Sequence, residues 1–161
     1  MDLSVTSEIE IALPPDQVFD YISKFENITA WAPIVVHAEQ TSTGPIQTDT
    51  TGRIEMRFLG KTIRGDTVIT DFDPNHVITF HTTQGSMWVD IRGTVEPVDG
   101  GTRYTQTASG ESHGLFRLAT PLLNSLVRQQ QDGNLRLLKA ILESSVPASA
   151  AETDIPAEVG Q

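Results

Sequence analysis

Apolar and polar residues alternate near the N terminus and then repeat at helical spacing. The alternation covers residues 3–12 and predicts a half-buried strand. Pro14 and Pro15 end this strand and suit a helix start, where a missing backbone N–H is tolerated. Apolar side chains then recur at helical spacing as far as Phe25, and a second short turn leads to Trp31. The pattern predicts one strand followed by two short helices.

Six further runs of alternating apolar and polar residues follow, and turn residues separate them. The predicted strands cover residues 35–43, 52–59, 62–72, 76–83, 86–98 and 102–111. Most connections are short, and Asp99-Gly100-Gly101 is a strong hairpin signal. Because short turns join antiparallel neighbours, we expect the strands to form one antiparallel meander.

A long amphipathic helix is predicted after the last strand. Thr120 can act as its N-cap with Pro121 at the first helical position, and the pattern runs to about Glu143. A step of about 100° per residue places one apolar stripe on Leu122, Leu123, Leu126, Leu137 and Ile141. Gln130 and Gly133 fall on the same stripe, with Asn134 at its edge. This polar and small interruption is unexpected for a helix that only packs in a core.

The chain is long enough for one domain with a substantial core. Residues 147–161 read PASAAETDIPAEVGQ, are rich in Ala and Pro, and show no periodicity. Such a segment is predicted to be a disordered acidic tail. The expected organisation is therefore a single domain at residues 1–146 followed by this tail.

Composition and charge disfavour several classes of function. The formal net charge is -10, which disfavours nucleic acid and anionic membranes as partners. The chain contains no cysteine and therefore no disulfide, thiolate zinc site or cysteine nucleophile. Neither a signal peptide nor an apolar run close to the ~18 residues of a membrane span is present. We expect a cytoplasmic protein without integral membrane association, as a monomer or homodimer.

The order of a strand, two short helices, a six-stranded meander and a long helix resembles the helix-grip (START, SRPBCC) superfamily. The resemblance is to its bacterial polyketide cyclase/dehydrase-like branch and covers about residues 5–143. The residues that carry it are Pro14-Pro15-x-x-Val18-Phe19, Trp31-x-Pro33, Asp73-Pro74, Gly100-Gly101-Thr102 and Pro121-Leu122-Leu123. It implies an α+β helix-grip fold, in which a curved seven-stranded antiparallel sheet wraps around the C-terminal helix and encloses a deep, largely apolar cavity.

The inward faces of the strands and the final helix are expected to line this cavity. The expected ligand-binding residues are Met56, Phe58, Ile63, Phe80, Met87, Val89, Ile91, Gln106, Leu123, Val127 and Gln130. Gln106 and Gln130 are the polar members, and a buried amide without a partner costs about 1–3 kcal/mol. Each must therefore bond to a ligand, to water or to a neighbouring side chain. A solid core built from the same residues is the open alternative.

Few side chains of this sequence suit acid–base catalysis, and the candidates are His81, Tyr104 and His113. Alternation with Phe80 predicts that His81 points away from the cavity unless a bulge reverses it. The histidines lack metal-ligand spacing such as H-x-x-x-H, and no G-x-S-x-G or nucleotide-binding motif is present. Neither a metal nor a cofactor is therefore expected.

Three functions fit this sequence. The leading hypothesis is binding or transport of a hydrophobic small molecule such as a lipid, an isoprenoid or a polyketide. The second is a cyclase or dehydratase in which His81, Tyr104 or His113 moves a proton within the same cavity. The third is a protein-interaction module like the co-chaperone relatives of this fold. That function would need an exposed apolar patch on the outer sheet face, and outward charges such as Arg53 and Arg57 disfavour it.

Overall fold

The described part of the chain contains one strand, two short helices, six more strands and a long helix. The structure, a computed structural model, describes residues 2–58, 60–84, 87–111 and 120–159. The elements are β1 (Asp2–Ile11), α1 (Pro15–Ser23), α2 (Ile28–Trp31), β2 (Val35–Gln40), β3 (Thr51–Phe58), β4 (Lys61–Asp73), β5 (Val77–Gln84), β6 (Met87–Val98), β7 (Gly101–Glu111) and α3 (Thr120–Val159). Every predicted strand is present, with ends that differ by a few residues.

The described strands form one antiparallel sheet in the order β1-β7-β6-β5-β4-β3-β2. Consecutive strands from β2 to β7 are neighbours, and β1 pairs with β7 along its whole length. Register shifts between Val35 and His37 and between Ile69 and Asp71 interrupt the pairing, and such bulges bend a sheet. The predicted α+β helix-grip fold, with its seven-stranded antiparallel sheet and long C-terminal helix, is confirmed.

The two short helices and the turn between them close one end of the sheet. Helix α1 begins at Pro15 and buries an apolar face that contacts β6 and β7. Phe25, in the 3₁₀ turn between α1 and α2, is completely buried, and its ring meets Phe80 of β5 edge-on with centroids 5.4 Å apart. Gly52 of β3 makes room for this ring, because an added Cβ would overlap it. These contacts position α2 beside the inner face of the sheet.

Helix α3 buries a different stripe from the one predicted. Among residues 121–144, where the side chains of α3 are described, the buried ones are Gln131, Leu135, Leu138 and Leu142. By contrast, Leu122, Leu126 and Leu137 are 65%, 49% and 36% exposed. The prediction is therefore wrong at these three leucines, whereas Ile141 of the same stripe is half-buried and packs against the core. A stripe chosen for its leucines excludes the true buried face, because that face contains Gln131, a polar residue whose burial depends on partners elsewhere in the chain.

Helix α3 also continues beyond its predicted end near Glu143. Its backbone is helical as far as Val159, through most of the segment for which a disordered tail is predicted. Ala148, Ala150 and Ala151 favour helix by intrinsic propensity, a signal that a search for an apolar stripe does not detect. The domain boundary at residue 146 stays a prediction.

Glu143 connects the last helix to the end of β1. Its carboxylate accepts hydrogen bonds from the backbone N–H of Ala12 and from Nζ of Lys139, both at 2.8 Å. Lys139 Nζ also donates to the carbonyl oxygen of Glu10 at 2.6 Å. The bond from Lys139, followed by that from Ala12, lowers the pKa of Glu143 below its ordinary value of 4.5.

Because the folded state lowers the pKa of Glu143, its contribution to stability is expected to depend on pH. The contribution is complete above the unfolded pKa of 4.5 and is lost as the pH falls through the folded value. The free energy of unfolding of a Glu143→Gln variant is expected to be about 1 kcal/mol lower than that of the wild type at neutral pH. In acid, the two free energies of unfolding are expected to approach each other. Denaturant unfolding at both pH values measures this difference. A difference that does not change with pH would contradict the assignment.

Candidate functional site

A cavity of about 310 Å³ lies between the inner face of the sheet and the helices. All seven strands, both short helices and α3 contribute side chains to its wall. The wall is mostly apolar, and its polar groups are hydroxyls, amides and the indole N–H of Trp31. The volume lies at the lower end of the range of about 300–1,000 Å³ that is typical of small-molecule sites.

Nine of the eleven residues expected to contact a ligand lie in this wall. They are Met56, Phe58, Ile63, Phe80, Val89, Ile91, Gln106, Val127 and Gln130. The inward-facing residues of β3 to β7 are thus brought together with one face of α3. Their role in binding a ligand stays a prediction, since the structure places the side chains and not a ligand.

Two expected lining residues lie elsewhere. Met87 is 46% exposed and pairs with Gln84, where β5 ends and β6 begins, and it does not line the cavity. Leu123 is half-buried near the start of α3, one turn before Val127, which does reach the wall. In both cases periodicity gives the correct face of the element but does not show how far along the element the cavity extends.

A chain of hydrogen bonds joins β7 to α3 at one side of the cavity. The Tyr104 hydroxyl donates to Oε1 of Gln106 at 2.9 Å, and Nε2 of Gln106 donates to Oε1 of Gln131 at 3.1 Å. Nε2 of Gln131 donates to the backbone carbonyls of Val5 at 3.3 Å and Gln106 at 3.0 Å. Gln106 is therefore held largely by protein groups, so its partner is a neighbouring side chain, one of the three kinds of partner expected for a buried glutamine.

Gln130 and Asn134 are the wall amides that this chain of hydrogen bonds leaves out. Both are half-buried residues of α3, about one helical turn apart, and both line the cavity. Neither makes a hydrogen bond with another side chain or backbone group among the described residues. Gln130 was expected here from its position among leucines, whereas Asn134 stood at the edge of the predicted stripe.

Trp31 is a wall residue that sequence reasoning did not place among the ligand contacts. It is buried, lines the cavity, and meets Tyr104 edge-on with ring centroids 6.4 Å apart. Its indole Nε1 has no hydrogen-bond partner in the described structure. The signal was the Trp31-x-Pro33 element itself, because it ends the short helices beside the sheet.

The three catalytic candidates do not form a common site. His81 lies on the outer face of the sheet, where its Nδ1 is 2.5 Å from Oδ1 of Asp90 and its ring stacks on Trp88. His81 therefore does not line the cavity, because strand alternation directs it away from Phe80 and Thr82, which do; its outward position follows the expected alternation, and its catalytic role stays a prediction. Tyr104 does line the cavity. His113 lies outside the described residues.

The environment of Tyr104 disfavours loss of its hydroxyl proton near neutral pH. Burial raises the pKa of its hydroxyl well above the ordinary value of 10.0. The proton is also engaged in the hydrogen bond to Gln106. Proton transfer is most efficient when the pKa of the catalytic group lies near the working pH, which is not the case here.

Gly93 of β6 makes room for the Tyr104 ring in the wall. An added Cβ would lie 2.8 Å from Oη and 2.9 Å from Cε2 of Tyr104. We expect Gly93→Ala to lower the free energy of unfolding by about 1–3 kcal/mol, because the held ring has to move. Gly133→Ala on α3 is the matched control, since no atom lies within 4 Å of its added Cβ. Gly133→Ala is expected to raise the free energy of unfolding by up to about 1 kcal/mol. Denaturant unfolding measures both variants, and an equal loss of stability in the two would contradict a steric overlap between the added Cβ at position 93 and Tyr104.

The described residues contain neither a cluster of metal ligands nor a membrane-spanning helix. Among residues 2–58, 60–84, 87–111 and 120–159, no group of three or more His, Asp or Glu side chains is arranged to hold a metal ion. Within the same ranges, no helix is long and apolar enough to cross a membrane.

A sheet that encloses an apolar cavity against a long helix defines a helix-grip protein. The profile of the family described as "Polyketide cyclase / dehydrase and lipid transport" matches residues 2–143. The chain belongs to this family. Membership implies that the chain binds a hydrophobic ligand or acts as a cyclase. No curated protein matches the chain.

Solved structures of low sequence identity share the fold. The protein TTHA0849 from Thermus thermophilus has a TM-score of 0.75 at 20% identity, over 89% of this chain and 99% of that one. The Zhui aromatase/cyclase from Streptomyces sp. R1128 has a TM-score of 0.74 at 16% identity, over 91% and 96% of the two chains. A START superfamily protein from Mycobacterium smegmatis has a TM-score of 0.72 at 16% identity, over 89% and 99%.

Proposed function

We propose that this protein binds a hydrophobic small molecule, such as a lipid, an isoprenoid or a polyketide, in the cavity between the sheet and α3. The observation that carries the proposal is the size of the cavity together with its largely apolar wall. Protein interiors are close-packed, and an unfilled apolar cavity costs stability in proportion to its volume. A ligand that fills the cavity recovers this cost and buries its own apolar surface at roughly 25 cal/mol per Å².

Binding is favoured over catalysis by the chemistry of the wall. Among the described wall residues, Tyr104 is the one titratable side chain, and its pKa is raised by burial. A cyclase or dehydratase needs a group that moves a proton near neutral pH. The wall instead offers shape, apolar surface and uncharged hydrogen-bonding groups, which are sufficient for binding.

A protein-interaction role is disfavoured by the outer face of the sheet. Arg64 donates to Glu55 at 2.6 Å, and Arg92 donates to Asp71 at 2.6 Å. Charged pairs of this kind keep a sheet face solvated, whereas an interaction surface needs a contiguous apolar patch. The apolar surface that could bind another molecule therefore lies in the cavity and not on the outer face of the sheet.

Native mass spectrometry of protein purified from its own host tests the proposal. We expect a stoichiometric apolar molecule that solvent extraction releases and that rebinds to the emptied protein without chemical change. Conversion of the extracted molecule to a product of different mass would favour the cyclase function. Absence of any bound molecule, together with no binding of simple apolar compounds, would contradict the proposal.

A further inference from the structure

The cavity wall is uncharged as well as apolar. Within the described part of the chain, none of its residues is Asp, Glu, His, Lys or Arg. A carboxylate, phosphate or ammonium group inside the cavity would therefore lack a charged partner. An isolated charge in an apolar environment is so costly that the group takes up or loses a proton instead. The net charge of -10 further disfavours anions.

The free amides of the wall lie on α3, and the indole Nε1 of Trp31 on α2 is a further free donor. The side chain of Gln106 bonds to Tyr104 and to Gln131, and the side chain of Gln131 bonds in addition to a backbone carbonyl. Gln130 and Asn134 line the same side and have no such bonds among the described residues. A side-chain amide offers both N–H donors and a carbonyl acceptor. It therefore matches a hydroxyl or carbonyl group better than a hydrocarbon.

The opposite part of the wall is apolar. Met56 and Phe58 of β3 and Ile63 of β4 belong to the half of the sheet that is remote from β1 in the strand order. Helix α3 packs on β1, at the other edge of the sheet. The cavity thus has an amide end and a hydrocarbon end.

We propose that the ligand of this cavity is a neutral molecule with a hydroxyl or carbonyl group at one end, bound by Gln130 and Asn134, and a hydrocarbon body against β3 and β4. This inference rests on the proposed function and narrows its ligand class. Acidic lipids in their ionised form are excluded from that class, although the same hydrocarbon body would fit.

Four probes that share the same ten-carbon chain test whether the cavity excludes charged groups. They are decanol, decanoic acid, decylamine and decane. Trp31 reports binding through its emission in a Trp88→Phe background, because the chain has 2 tryptophans and Trp88 lies on the outer face. At neutral pH we expect decanol to bind at least about tenfold more tightly than decanoic acid or decylamine. The affinity for decanol is expected to stay constant with pH, since decanol is uncharged and the one titratable residue of the described wall is Tyr104, whose pKa is raised by burial.

The pH dependence of the charged probes has opposite signs. Decanoic acid binds as the protonated acid, so its affinity is expected to fall about tenfold for each pH unit above its pKa. Decylamine binds as the neutral amine, so its affinity is expected to rise about tenfold for each unit by which the pH increases toward its pKa. Flat profiles for both, with affinities equal to that of decanol, would overturn the inference and leave the proposed function intact. Failure of all four probes to bind would overturn both.

Substitutions on α3 test the amide end. The Gln130→Leu, Asn134→Leu double variant is expected to bind decanol about tenfold more weakly while binding decane at least as well as before. Gln129→Leu, at the neighbouring exposed position, is the control and should change neither affinity. Gln130→Arg is expected to increase the affinity for decanoate at least about tenfold, a gain that misfolding cannot produce. Unchanged affinities in both variants would overturn the role of the α3 amides.

Discussion

Replacing Leu138 by alanine is expected to lower the free energy of unfolding by about 2–5 kcal/mol. Leu138 is 0% exposed and belongs to the core between α3 and the sheet. Its truncation loses buried apolar surface and leaves a void that the surrounding side chains fill only in part. Chemical denaturation monitored by circular dichroism measures the change.

Leu137 supplies the matched control, because it is the adjacent residue and undergoes the same truncation. It is 36% exposed, so Leu137→Ala is expected to cost about 1 kcal/mol or less. The pair tests the rotation of α3 about its own axis. A larger cost at Leu137 than at Leu138 would show that the stripe predicted from the leucines is the buried one.

The sheet could be predicted because its signal is local. In β3, Ile54, Met56 and Phe58 face the cavity while Arg53 and Arg57 are exposed, and this alternation fixes the faces of the strand. Turn residues between consecutive strands then fix which neighbours pair. Both signals lie within a few residues of each other, so they are readable without knowledge of the rest of the chain.

The pairing of the edge strand β1 with β7 has no local signal. Thr6 of β1 and Thr107 of β7 are 101 residues apart in sequence, and their hydroxyls are joined by a hydrogen bond of 3.0 Å. No alternation or turn pattern connects such distant segments. The wrapping of the sheet around the C-terminal helix could be predicted only from the resemblance to the helix-grip superfamily.

The buried glutamine explains why the rotation of α3 was not predicted. Gln131 is 2% exposed, because its amide bonds to Gln106 and to the carbonyl of Val5. Without these partners a glutamine at that depth would be costly, so a hydrophobicity pattern assigns it to the surface. Sequence reasoning placed Gln106 and Gln130 inside but did not find Gln131, which follows Gln130 in sequence and bonds to Gln106.

A tryptophan at position 127 is expected to abolish most ligand binding. Val127 lies in the cavity wall on α3, so a larger side chain there occupies space that a ligand would fill. Loss of about 100 Å² of apolar contact corresponds to roughly 2.5 kcal/mol, or a loss of affinity approaching 100-fold. Isothermal titration of the emptied Val127→Trp variant with decanol measures the effect.

The neighbouring position separates this blocking effect from a general disturbance of α3. Leu126 is 49% exposed and does not line the cavity, so Leu126→Trp adds the same ring outside the proposed site. We expect Leu126→Trp to bind decanol with wild-type affinity. Because an added ring fills empty space, we expect Val127→Trp without ligand to unfold at the same temperature as the wild type or higher. Wild-type affinity in Val127→Trp would place the bound molecule outside this cavity, and the proposed function would then fail at its first premise.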